Sequence, residues 1–129
     1  MSYILFDYID QQGKNVFKDW AQALQKAERA KLNAKLDMLE RLGTDLFPQL
    51  LSGTDTPGIL KLRVHGKVQL RPLLCYGPIN INGEFTILMG AIEKGSKLIP
   101  KNADQTADTC KTAVMADPNN RRKHHERIG

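Results

Sequence analysis

Two cysteines in 129 residues are too few for a disulfide framework, and Cys75 and Cys110 lie far apart with no CxxC or Cys/His spacing around them. A structural zinc site needs about four close ligands, so buried free thiols are the expectation. No apolar run approaches the roughly 20 residues that a membrane-spanning helix needs. Basic residues are missing from the opening stretch, where Met1-Ser2-Tyr3-Ile4-Leu5-Phe6 leads into Asp7 and Asp10. A signal peptide would need a cationic start and an unbroken apolar core, so export is not expected and a cytoplasmic location is. No internal repeat is visible, and aromatic residues make up only 6% of the chain, which limits the flat surfaces on which bases could stack.

What is present fits one globular domain. The chain is long enough to bury one apolar core and too short for two ordinary ones, and 41% hydrophobic with 26% charged residues is an ordinary globular balance. The net charge of +5 is unevenly placed. Residues 1–56 carry seven Lys/Arg against eight Asp/Glu, whereas residues 57–101 carry seven Lys/Arg against only Glu84 and Glu93. Arg121, Arg122, Lys123 and Arg127 add to the positive end against Glu126. A concentrated basic field attracts polyanions by steering and counterion release, so nucleic acid or an acidic protein is the expected ligand class. A basic surface that does no more than keep the chain soluble would have the same composition.

Residues 3–8 are short, aromatic and β-branched, which predicts a first strand. From Lys14 to Leu42 there is no Gly or Pro. Phe17, Trp20, Ala21, Leu24 and Ala27 form one helical stripe, and Leu32, Leu36, Leu39 and Leu42 a second one rotated from it. The offset predicts two helices, or one bent near Arg29 to Lys31, with Gly43 as the C-cap. Thr44 to Gly58 reads as a connecting loop with a turn at Gln49 to Leu51. Residues 84–92 read as another strand. After Pro100, Asn102 is a reasonable N-cap for a short helix with Ala103, Ala107, Cys110 and Val114 on one side. Asp117-Pro118-Asn119-Asn120 ends it, so the expected organisation is a domain over 1–117 and a flexible basic tail over 118–129.

The period changes from helical to alternating at Ile59. Leu60, Leu62 and Val64 alternate with Lys61, Arg63 and His65, and Val68, Leu70, Pro72, Leu74 and Tyr76 share one side of the following run. A three-residue loop, Gly66 to Val68, sets Val64 against Leu70 and Leu60 against Leu74; a slip of one residue would put every side chain on the wrong face. The same register sets Arg63 against Arg71. Two like charges opposed on a sheet are destabilising unless an anion sits between them, although both could instead splay into water. Pro72 cannot donate to a ladder, so its strand is expected to be at an edge or bulged there.

Taken in order, the helix stretch KLNAKLDMLERLG, the strand Leu60-Lys61-Leu62-Arg63-Val64, Arg71 in the next strand and the segment EKGSKLIPKNA resemble the RelE/ParE superfamily of toxins, in particular its HigB-like branch found in phages and mobile elements. The similarity extends over roughly residues 14–116. The corresponding family pieces read as a Leu-rich helix ending in Gly, a "WELR" strand, a "YR" strand and a "GFxKKTxKTP" segment. The resemblance implies an α+β fold: an antiparallel sheet of an N-terminal strand plus a three-stranded meander, packed by an N-terminal helix pair, with a short C-terminal helix.

It also implies a function: the toxin of a type II toxin–antitoxin system, a ribosome-dependent mRNA endonuclease that cleaves by attack of the neighbouring 2′-hydroxyl without metal or cofactor. Its partners would be mRNA on the ribosome and a helix-turn-helix, HigA-like antitoxin. Such chemistry needs cations on the phosphate and groups that take and return protons. On this analogy Arg63 and Arg71 hold the scissile phosphate and Lys94 and Lys97 complete the basic pocket, which makes Arg63, Arg71 and Lys94 the catalytic cations; Lys61, Lys67 and Lys101 are expected, with Lys97, to contact RNA phosphates. His65, on the predicted face of Arg63, is a bottom-up candidate for proton transfer, because histidine titrates near neutrality, and the tail residues His124 and His125 are others. Glu93 departs from the family pattern where a lysine is usual, no aromatic precedes it, and Leu70 replaces the usual Tyr before Arg71. A carboxylate there repels RNA. The competing reading keeps the fold without the nuclease, as a gyrase inhibitor or a phage accessory module that binds protein.

Overall fold

The structure is a computed structural model that describes residues 2–123, 125 and 127. It is an α+β protein with three helices, α1 (Val16–Gln22), α2 (Lys26–Leu42) and α3 (Ala103–Ala116), around an open mixed sheet of seven described strands, β1 (Ile4–Tyr8), β2 (Leu51–Gly53), β3 (Leu60–Leu62), β4 (Leu70–Tyr76), β5 (Glu84–Lys94), β6 (Lys97–Ile99) and β7 (Arg121–Lys123). They run in the order β2-β3-β4-β5-β1-β7, with β6 paired to the end of β5. No helix among the described residues is long and apolar enough to cross a membrane.

Strand β1 (Ile4–Tyr8) enters the middle of the sheet. It runs parallel to β5, Leu5 beside Phe85 and Asp7 beside Ile87, which corrects the expectation of an antiparallel sheet. A parallel pair needs a long crossover between its strands, and here everything from α1 to β4 supplies it. Helix α1 (Val16–Gln22) starts at Asn15, whose side chain accepts the Lys18 amide while its own NH₂ donates to Asp7 on β1. The break between the helices comes at 23–25, earlier than the expected bend. Arg29 reaches back to the carbonyls of Leu24 and Gln22, partners that the end of a helix otherwise lacks. Helix α2 (Lys26–Leu42) buries Leu32, Leu36 and Leu39 of the second stripe but leaves its last member, Leu42, exposed, and stops at Gly43 with φ 50°, beneath the ring of Tyr3.

Strands β3 (Leu60–Leu62) and β4 (Leu70–Tyr76) have the register read from the sequence: Leu60 opposes Leu74, and Val64 opposes Leu70. Pro72 is not at an edge, since β4 lies between β3 and β5. Val64 and Leu70 exchange both backbone hydrogen bonds. Alternate pairs in an antiparallel ladder do so, which makes Leu62 and Pro72 the next such pair, and there the missing N–H interrupts the ladder.

Strand β5 (Glu84–Lys94) is the longest and carries a bulge: Leu73 pairs with Met89, yet Leu74 pairs with Ile87. The sheet therefore separates two apolar layers. Phe85 and Ile87 join Leu5, Leu74 and the helix pair, while Leu88, Met89 and Ala91 join Leu73, Cys75 and α3 (Ala103–Ala116). Ala103, Ala107 and Val114 are the buried side of α3, as expected, but Asn102 sits in the left-handed region at φ 59° and makes no side-chain cap bond.

Strands β2 (Leu51–Gly53) and β7 (Arg121–Lys123) fall in segments read as loop and as tail, and β6 (Lys97–Ile99) in a stretch to which the sequence assigns no element. The last of these is a correction to the expected flexible tail. β7 pairs antiparallel with β1, and Arg121 lies buried over the Phe6 ring, bonded to Glu84. His125, 6% exposed, is held by Asp7 at 2.7 Å. His124 lies outside the described residues.

Gly90 is where α1 meets the sheet, and a Cβ there would fall on the Trp20 indole. Gly90→Ala should lower unfolding stability in urea by about 1–3 kcal/mol. Gly53→Ala, with no atom within 4 Å of the added Cβ, should change it little.

Candidate functional site

The polar part of the α3-facing layer lies where β3, β4 and the end of β5 meet. Arg71, 5% exposed, donates from Nε to Glu93 Oε1 at 2.7 Å and from Nη1 to the Leu70 carbonyl at 2.8 Å. Lys61 Nζ reaches the same Glu93 oxygen at 3.4 Å. Glu93 is thus the shared counterion of two of the cations expected to hold phosphate. Burial alone would raise its carboxyl, but the hydrogen bond from Arg71 and the charges of Lys61 and Arg71 hold it below the ordinary carboxylate value. It stays ionised at neutral pH.

The Arg63 backbone lies across from Arg71, as the register requires, but its side chain turns away. Its Nη1 donates to the carbonyls of Pro48 and Gln49, both at 3.2 Å. The two guanidiniums therefore do not enclose an anion: one is neutralised by a carboxylate, and the other closes the turn that leads into β2. His65 is exposed on the hairpin loop and pairs with Gln69 at 3.1 Å. Lys67 is exposed on the same loop. His125 is buried, its ring 5.2 Å from that of Phe17.

The lysines come together better than the arginines. An open cleft of about 480 Å³ is lined by Lys61, Lys97 and Lys101, with Ser96 and Leu98 beside them. Lys97 is on β6, opposite Lys94 at the end of β5, and the Gly95-Ser96 turn that joins them has both residues at positive φ. Asn102, at the start of α3, forms part of the wall. The cleft also contains what the sequence reading missed: Thr54 and Asp55 from the segment after β2, and Asp104 from the first turn of α3. Asp104 accepts from the Thr56 hydroxyl at 2.7 Å. No alternation or spacing in the sequence marks these residues, because two come from an irregular segment and the third from a first turn, where carboxylates are common anyway.

Three lysines against two carboxylates leave the cleft with a net positive charge, and a helix N-terminus adds to it. Such a place can hold a phosphate while offering acceptors to N–H groups nearby. Among the described residues no group of His, Cys, Asp and Glu could hold a metal ion. Neither a scan of protein-family models nor a search of curated proteins finds a match for this sequence.

Glu93→Gln isolates the role of the carboxylate. At pH 7 it should cost about 2 kcal/mol, since it leaves a buried guanidinium without its counterion. Because the folded-state pKa is lowered, the stabilisation is complete above the ordinary value of 4.5 and is lost as pH falls through the lower folded value. Urea unfolding at pH 7 and pH 3 should therefore show a gap between parent and variant that narrows in acid.

Proposed function

We propose that the protein is an RNA-directed toxin of the RelE/HigB type, an mRNA endonuclease that works on the ribosome by metal-independent attack of the 2′-hydroxyl. The observation that carries this reading is the meeting of Lys61, Lys97 and Lys101 around one cleft, since these are three of the four lysines expected to contact RNA phosphates. Lys61 joins the cleft to the Arg71–Glu93 pair, so one continuous polar surface runs from β4 to the start of α3. Cations there would neutralise the charge that builds on the scissile phosphate. A helix-turn-helix antitoxin, of the kind HigB-like toxins have, would mask this surface through acidic side chains.

One observation favours the second reading, binding without cleavage. Arg71 already gives Nε to Glu93 and Nη1 to the Leu70 carbonyl, so a phosphate there would compete with a carboxylate for it. A protein that only holds RNA or an acidic partner through its lysines faces no such competition.

Tight induction in bacteria, with mRNA ends mapped by primer extension, separates the readings. Growth arrest with cuts inside translated codons is expected, and both should be lost in the double variant Lys97→Glu, Lys101→Glu. Arrest without cuts would direct attention to a protein target such as gyrase, and unaffected growth would leave the binding module. With purified protein and single-stranded RNA, Lys97→Ala should weaken binding and reduce the slope of log affinity against log salt by about 0.7. These lysines test the surface better than Arg71, whose loss would unbalance a buried ion pair.

A further inference from the structure

We propose that the lysine cleft is a single-nucleotide subsite that selects guanine, with the phosphate on Lys97 and Lys101 and the base on Asp55; this rests on the reading of the protein as RNA-directed. The cleft volume, about 480 Å³, lies in the usual range for small-ligand sites and suits one nucleotide. Its lining is divided by chemistry. Lysines are point charges suited to a phosphate, and α3 begins beside them with first-turn amides that the Asn102 side chain does not cap. The acceptors Asp55 and Asp104 are what a surface built only to attract polyanions would lack.

The two carboxylates differ in availability. One oxygen of Asp104 is taken by the Thr56 hydroxyl. Asp55 is exposed and has no hydrogen bond or ion pair among the described residues, so both its oxygens are open. An ionised carboxylate only accepts, and it accepts best from two parallel N–H groups. On its Watson–Crick edge guanine offers such a pair, N1–H beside the N2 amine. Adenine and cytosine each place a ring-nitrogen lone pair next to their one amine, and that lone pair is repelled. Uracil flanks its single N–H with two carbonyls. A carboxylate wall beside cationic side chains therefore discriminates between bases, which lysines alone cannot do. Single-stranded RNA leaves this edge free to be read.

The test uses the full chain and the four nucleoside 3′-monophosphates, with inorganic phosphate as a fifth probe, and follows cleft amide resonances through titrations. Guanosine 3′-monophosphate should bind about tenfold more tightly than the other three. Asp55→Asn should abolish that preference and shift it towards adenine and cytosine, because a carboxamide offers a donor beside an acceptor. Lys101→Ala should weaken all five ligands alike. Equal affinities for all five would make the cleft a phosphate site only and overturn the proposal, as would no binding, or resonance changes confined to residues outside the cleft. Cleft shifts caused by an acidic peptide and by no nucleotide would overturn it too, in favour of protein docking. Codon-internal cleavage with flat nucleotide affinities would remove this subsite and leave the toxin reading; guanine-selective binding with unaffected growth would do the reverse.

Discussion

The two-layered core depends on one irregularity in β5. Strands alternate their side chains, so without a bulge Met89 would follow Phe85 and Ile87 into the layer of the helix pair. The register shift opposite Leu73 and Leu74 lets both Leu88 and Met89 face α3 and reverses the phase of everything after them. Gly90 then falls under Trp20, where only a hydrogen fits, and Glu93 emerges on the side of Arg71 and Lys61. The packing of α1 and the counterion of the polar site are thus consequences of the same extra residue.

That dependence explains why the sequence was legible in some places and closed in others. The hairpin register could be read because Leu60, Leu62 and Val64 alternate with cations over enough residues to fix a phase. The α3 stripe could be read for the same reason at a helical period. β2, β6 and β7 could not, since three residues carry no period and each strand exists only because the strand beside it offers free backbone groups. The pairing of β1 was hidden too: nothing within its five residues says which strand lies beside it or whether that strand runs the same way.

The candidate site divides along the same line. Its lysines stood out as local charge, and Lys61, Lys97 and Lys101 do share a cleft. Whether a charge is free or spent depends on contacts far along the chain. Glu93 reads in sequence as a repulsive departure from a family pattern, and in the fold it is the group that allows a buried guanidinium at all. Asp7, two residues from Leu5 and therefore on the same inward face of β1, binds both Asn15 and His125, and the sequence alone does not mark it as a site residue.

The position of β1 has a consequence for the making of the protein. It precedes both of its neighbours in the chain, residues 84–87 and 121–123, by a long way. Until those have been translated, both edges of β1 are open to other chains, and unpaired edges are where aggregation starts. The sheet closes on that side only once residues 121–125 have been made, with Arg121 burying its charge against Glu84 and His125 hydrogen-bonded to Asp7. Pairing between segments so far apart in the chain makes for slow folding, and the nascent chain must be kept from associating until both partners of β1 have arrived.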